Sequence, residues 1–261
     1  LFYSDSNSLH VEGLLSDMIY TVYVRSLCAN GETSAWSEPM SFHTACTAPY
    51  QNDFDSYTIG TAPSAGWSVY SSSNMLVDNV VSLDSYTALT NPGTYWSYAA
   101  PDSMINIMSG TTVRARLADY YTNSILTTPF IVIPELEDGL GMTLSFNAQI
   151  CSDQGGPVQG DANTHSFHVL VSEDGGHNYN VLRSWLSTEG ADYNYQNFAD
   201  GMKVELDITQ YSGKNISIGF YVQSGSSYYP YTYFFLDSVD IEYNDAACIE
   251  VKGLEVSDIF T

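Results

Sequence analysis

Asp237 is the residue where chemistry first suggests itself. In the run from Tyr231 to Ile241, alternation puts Phe235, Val239 and Ile241 on one face, with Asp237 between them on that same face. A carboxylate on an apolar strand face is costly unless it is solvated, hydrogen-bonded or metal-bound. Asp240 comes soon after, and Asp53 and Asp55 lie near the other end of the same β-rich stretch. If the first and last strands run side by side, Asp53, Asp55, Asp237 and Asp240 could share one Ca²⁺, a hard cation that takes about six to eight oxygens from carboxylates and carbonyls. The plainer alternative is four carboxylates solvated at strand edges. Asp153, Asp161 and Asn163 form a second set in a Gly-rich loop, where an ordinary polar loop is the favoured reading. No EF-hand spacing is present.

Two aromatic clusters come next. Tyr95, Trp96 and Tyr98 crowd one loop, and Tyr228, Tyr229 and Tyr231 another. Exposed Tyr and Trp rings stack on sugar faces and anchor protein contacts. Core packing is the competing explanation for most aromatics, and Trp67 and Trp185 are assigned to it. His165 and His168 are three apart, which on a strand points them to opposite faces and argues against zinc. His177 lies just past a turn and is expected to be exposed. The sequence has no G-x-S-x-G elbow, H-E-x-x-H helix, P-loop or dinucleotide fingerprint. Glu135 and Glu137 could pose as a glycosidase pair, but Pro134 and Gly139 place them in a loop. The expectation is therefore no enzyme.

The elements that must position these residues read as strands. Ile216, Ile218 and Phe220 alternate with Ser217, Gly219 and Tyr221, the period of a strand with one buried face. Phe167, Val169 and Val171 do the same before the tight turn Glu173-Asp174-Gly175-Gly176. Leu144, Phe146 and Ala148 alternate with Ser145, Asn147 and Gln149. Long polar loops separate such runs, no amphipathic helix of three turns is evident, and the 261 residues are 44% hydrophobic. That pattern predicts an all-β sandwich with a sizeable core.

Charge narrows the partners. The chain carries 30 acidic against 7 basic residues, a formal net of −23. Nucleic acids and anionic membrane surfaces need the opposite sign. Bound Ca²⁺, a neutral or cationic partner, or simple solubility fits instead. Cys28, Cys46, Cys151 and Cys248 contain no C-x-x-C pair, and an even number suits an oxidising compartment. Three connectivities are possible; Cys28 with Cys46 is one, since both flank a single candidate strand. No apolar run is long enough to span a bilayer.

Two resemblances organise the chain further. Leu14, Tyr20, Gly31, Ser34, Trp36 and a last strand at Ser41–Thr44 resemble the second half of a fibronectin type III domain. Residues 47–244 resemble the jelly-roll modules of gingipain-type cleaved adhesins and MAM-like domains. The matching blocks are Pro49-Tyr50, Phe54-Asp55, Gly66-Trp67, Leu126–Ile131, Met142–Ala148, Phe167–Gly176, Tyr211–Lys214 and Phe235–Val239. From Asp245 the chain resembles the first strand of a second type III module. The expected fold is thus an all-β jelly-roll β-sandwich flanked by partial fibronectin type III (Ig-like) segments, at 1–46 and 245–261. The resemblance implies a piece of a longer exported or surface-anchored bacterial protein, with structural Ca²⁺, acting as an adhesion module. Its partners would be host or matrix protein or glycan, and neighbouring domains of the same chain. A carbohydrate-binding accessory module of a larger hydrolase or protease, or a purely structural repeat of a filament, are the rival readings.

Overall fold

A computed structural model describes residues 2–6, 8–61, 63, 66–72, 76–89, 96–99, 108, 110–117, 123–152, 166–186, 198–223 and 232–245. The strands are β1 (Ile19–Val22), β2 (Met40–His43), β3 (Cys46–Thr47), β4 (Tyr50–Asn52), β5 (Ser68–Ser72), β6 (Val80–Ser82), β7 (Thr87–Ala88), β8 (Ser97–Ala99), β9 (Thr112–Leu117), β10 (Asn123–Thr127), β11 (Ile131–Val132), β12 (Leu140–Ser152), β13 (Ser166–Ser172), β14 (Asn178–Leu186), β15 (Met202–Asp207), β16 (Asn215–Gln223) and β17 (Thr232–Asp245). Two curled sheets face each other as a jelly-roll β-sandwich. One runs β6-β14-β13-β16-β10-β5-β7 with β11 and β3 attached; the other runs β15-β12-β17-β9-β8 with β4 against β17.

Alternation builds the core. Strand β16 sends Ile216, Ile218, Phe220 and Val222 inward, where they meet Phe167, Val169 and Val171 of β13 and Leu144, Phe146 and Ala148 of β12. Trp67 and Trp185 join them, as expected. The aromatic rings interlock: Phe220 lies 5.2 Å from Phe146 at 81° and 6.4 Å from Trp67 at 21°. Edge-to-face and stacked pairs of this kind add to the burial of their area. The opposite face of the first sheet is covered too, and Ile125, Leu170, Tyr179, Tyr221 and Val81 form a second cluster there. His168 shares that face. Its ring bonds Ser184 Oγ and Ser166 Oγ, each at 2.7 Å. Burial holds its pKa down at about 4.

The turn after β13 also follows its sequence. Gly175 and Gly176 take φ 79° and 88°. Asp174 Oδ1 accepts from the N–H groups of His177 and Asn178 and from Ser172 Oγ. Those bonds, the Asn178 N–H first, lower the Asp174 pKa to about 2. His177 is exposed, as expected, 3.5 Å from Asp84.

Strand β17 departs from the expectation. Ser238 adopts φ 51°, and the register with β12 slips there, Asn147 facing Asp237 but Ser145 facing Asp240. Two residues of β17 thus oppose one of β12, which is a β-bulge and reverses the parity of everything beyond it. Val239 and Ile241 therefore share the core with Phe234 and Leu236. Phe235 instead packs with Met108 and Cys151 on the other side of the sheet. Asp237 goes with Phe235 to that side, so the expectation of an aspartate on the core face is corrected.

Residues 2–45 form no part of this core. Strands β1 and β2 pair alone, and Ile19, Met40 and Phe42 are exposed at 63, 66 and 41%. Tyr20 stacks on Phe42 at 5.9 Å and accepts a hydrogen bond from Leu15 N at 3.0 Å. The link to the sandwich is local: Cys46 N donates to Phe130 O, and β3 pairs with β11. Residues 246–261, expected to open a second type III module, lie outside the described residues.

Of the three possible connectivities, the one that joins Cys28 to Cys46 is not made. Cys28 is exposed, Cys46 and Cys151 are buried, and all three carry thiols rather than disulfides. Cys46 Sγ donates to Asp17 Oδ1 at 3.2 Å, and burial, then Asp17, pushes its pKa up to about 12. Native-state labelling with a thiol reagent, mapped by mass spectrometry, should modify Cys28 within minutes and leave Cys46 and Cys151 protected until unfolding, because the thiolate is the reactive form. Equal rates at the three thiols would contradict this packing.

Candidate calcium and ligand sites

Asp237 and Asp240 lie midway along β17, and Asp53 and Asp55 follow β4, which pairs with β17 there. They do not converge as a single set. Among the described residues, no three or more His, Cys, Asp or Glu side chains group as a metal site would. Strand β4 pairs Gln51 with Asp240 and Asn52 with Val239. Asp240 is held above its usual carboxylate range, first by burial and also by the charges of Glu242 and Asp53, against Gln51 and Lys203. Its Oδ1 is buried and unpartnered. Asp53 Oδ1 accepts from Asp55 N at 3.1 Å and so closes its own turn.

Asp55 goes elsewhere. Phe54 takes φ 60° with its ring fully buried, which swings Asp55 towards β9. There Asp55 Oδ1 accepts from Thr111 N at 2.6 Å. Gly110, at φ 74°, makes the approach possible, since a Cβ there would collide with that oxygen. Thr112 opens β9, 0% exposed, with Oγ1 unpartnered. Strands β9 and β17 pair Val113 with Leu236, so Thr112 and Asp237 are the next residues along the two strands. Asp237 is 3% exposed and accepts from Ser238 N at 2.7 Å. A buried hydroxyl without a partner costs free energy and marks a place where a ligand is to be sought. Two carboxylates, a hydroxyl and nearby carbonyls are the oxygen donors a Ca²⁺ takes. The sequence pointed to Asp55 and Asp237 here but not to Gly110 or Thr112.

The aromatic clusters fare differently. Trp96, expected on an exposed loop, is 1% exposed and belongs to the core cluster, with its Nε1 unpartnered. It stands just before β8, where a large apolar ring gains more from the interior than from water. The expectation of a surface role for Trp96 is therefore corrected. Tyr98 belongs to β8, its backbone opposite Val113 of β9. Tyr95, Tyr228, Tyr229 and Tyr231 lie outside the described residues, as do Asp153, Asp161, Asn163 and His165.

A second feature escaped the sequence altogether. A cavity of about 290 Å³ opens between the Asp17 turn and the segment from Tyr50 to Tyr57. Trp67 Nε1 donates to Tyr50 Oη at 3.1 Å, and Asn52 Nδ2 donates to Tyr50 Oη at 3.4 Å and Tyr57 Oη at 3.2 Å. Asp17 Oδ1 also faces His43 Nε2 at 3.2 Å. The lining is assembled from two segments far apart in sequence, so no local motif announces it.

No family model matches the chain, and no curated protein matches it. Solved structures do resemble it. A carbohydrate-binding module described as of the β-sandwich superfamily, with promiscuous specificity, shares 14% identity over 86% of this chain and 74% of that one, at TM-score 0.40. The K3 cleaved adhesin domain of Lys-gingipain from Porphyromonas gingivalis shares 16% over 74% of this chain and 98% of that one, at 0.41. The K2 cleaved adhesin domain of the same protease shares 12% over 74% and 97%, at 0.38. Identities and scores this low carry no functional argument, and the function must be sought in the chain's own residues. Among the described residues, no helix is long and apolar enough to cross a membrane.

Proposed function

We propose that this chain is a non-enzymatic binding module of an exported bacterial protein, with Ca²⁺ fixing the segment after β4 to the sandwich. In this reading 47–244 is the binding domain and 1–46 and 245–261 belong to flanking type III spacers. The observation that carries it is that Asp55 Oδ1 holds the segment after β4 to Thr111 N, next to the unpartnered Thr112 hydroxyl and the register position of Asp237 on β17. A cation there would fix the segment after β4 against β9 and β17, and rigid scaffolds present recognition loops well. Other buried polar groups serve the fold: His168 is held between two serines, Tyr179 Oη donates to Ser217 Oγ, and Gln149 Nε2 donates to Ala199 O. Recognition is assigned to Tyr98 and to Tyr95, Tyr228, Tyr229 and Tyr231, whose rings would stack on a glycan or anchor a host or matrix protein.

The test is a panel of immobilised glycans and matrix proteins probed with the chain in Ca²⁺ and in EDTA. Retention that weakens about thirtyfold in the Tyr228→Ala/Tyr229→Ala variant is expected, two lost aromatic contacts of about 1 kcal/mol each. Retention by glycans alone would favour the accessory carbohydrate-binding reading. No retention on any surface would leave the structural-repeat reading and overturn this one.

A further inference from the structure

The cavity beside β4 has a hydrogen-bonding pattern that selects a ligand. Tyr50 Oη already accepts from Trp67 Nε1 and Asn52 Nδ2, which uses both of its lone pairs. Its own O–H has no acceptor among the described residues, so it is a donor in search of one. Burial raises the Tyr50 pKa, which keeps that proton in place. Asp17 and Asp53 supply the opposite character. Each has one carboxylate oxygen committed, Asp17 Oδ1 to Cys46 and His43 and Asp53 Oδ1 to Asp55 N. The second oxygen of each has no described partner and can only accept. Ser56 lines the same space and can do either.

A ligand matching this lining must accept at Tyr50 and donate to the aspartates. An ammonium or guanidinium donates only and leaves the Tyr50 proton unmatched. An anion meets two carboxylates on a chain of net charge −23. A hydroxyl does both jobs at one atom. The volume sits at the lower edge of small-molecule sites, which run from about 300 Å³ upward, so one ring fits and an oligosaccharide does not.

We infer that the cavity lined by Asp17, Tyr50, Asn52, Asp53, Ser56 and Tyr57 is a binding site for a single neutral, hydroxyl-rich sugar ring. The inference rests on the reading of the chain as a binding module and adds a glycan subsite separate from the tyrosine clusters. Because Asp17 belongs to the turn before β1, the site exists only where residues 2–45 meet the sandwich, and a bound sugar would fasten that joint.

The Trp67 indole reports on the cavity, since it donates to Tyr50. In ¹⁵N-labelled whole chain, methyl glycosides of glucose, galactose, mannose and N-acetylglucosamine, and N-acetylarginine amide as the cationic probe, are titrated to about 10 mM, which reaches sites of millimolar affinity. At least one glycoside is expected to move the Trp67 Nε1–H resonance saturably. Ser56→Tyr, at an exposed position, should fill the space and abolish the shift with the fold unchanged. Tyr50→Phe should weaken binding about fivefold, the worth of one hydrogen bond. A shift with the arginine amide alone, no shift with any probe, or a shift that survives Ser56→Tyr would each overturn the sugar site. Wild type that still binds the immobilised panel while Trp67 stays silent would fail this inference and leave the module reading standing. Silence in both would end both.

Discussion

Replacing Phe220 by Ala is expected to destabilise the sandwich by about 4 kcal/mol, the upper part of the range for removing a large buried side chain. Phe220 is fully buried and lies between Trp67 of one edge and Phe146 of the facing sheet. Its loss opens a void that neither ring can close, because each is itself pinned: Trp67 by its hydrogen bond to Tyr50 and Phe146 by Phe167 at 6.3 Å. Urea unfolding should show a lower midpoint at unchanged slope. Phe42→Ala is the contrast. Phe42 is 41% exposed and touches Tyr20 outside the core, so its loss should cost less than about 1 kcal/mol. Equal effects at the two positions would mean that the two-sheet core is wrongly drawn.

Acid should weaken the fold well above the range where carboxylates titrate, and His168 is the cause. Its folded pKa is about 4, against 6.5 when free. Above pH 6.5 both states hold a neutral ring, and the group contributes no pH dependence. As the pH falls from 6.5 to 4, the unfolded chain takes up a proton that the folded chain refuses, so stability declines with falling pH and levels off below 4. The whole difference is about 3 kcal/mol. Asp174, with its folded pKa lowered to about 2, is silent in that window and loses its contribution only below it. Asp240, held above its usual value, works in the opposite sense near the acid end. His168→Gln keeps hydrogen-bonding capacity towards Ser166 and Ser184 and removes the titration. Its stability should therefore stay nearly flat between about pH 6.5 and 4.5, where wild type falls. Parallel curves would mean that some other group is responsible for the decline.

How far the sequence reaches depends on whether local period decides a position. The inward faces of β16, β13 and β12 are readable from alternation alone, because each strand has an uninterrupted period of two and one covered face. The turn at Asp174 is equally legible, since two glycines in succession supply the positive φ it needs. Strand β17 misleads because its bulge sits at Ser238, a residue type with no preference that announces φ 51°. Residues on the two sides of the bulge then read as sharing a face when they lie on opposite ones. Trp96 misleads for another reason: a ring flanked by tyrosines in a polar stretch looks like a surface, and only the pairing of β8 with β9 shows that it turns inward. Gly110 and Thr112 carry a signal too faint to use, a glycine before a β-branched run. It gains meaning only when Asp55, distant in sequence, arrives above it. The β4 cavity is legible nowhere, as one of its walls comes from the Asp17 turn of a separate two-stranded sheet.

A cation holding the segment after β4 to β9 and β17 is the feature on which the binding-module reading turns. Thermal melts of the chain in EDTA, in EDTA followed by excess Ca²⁺, and in excess Mg²⁺ are the decisive measurement, run beside Asp237→Asn. Ca²⁺ at about a hundred times its dissociation constant adds about 2.7 kcal/mol. That is a rise in Tm of about 5–10 °C for a protein of this size. A calcium-held junction gives that rise with Ca²⁺, little with Mg²⁺, and none in Asp237→Asn. Melts of wild type that superimpose in EDTA and Ca²⁺ would contradict it.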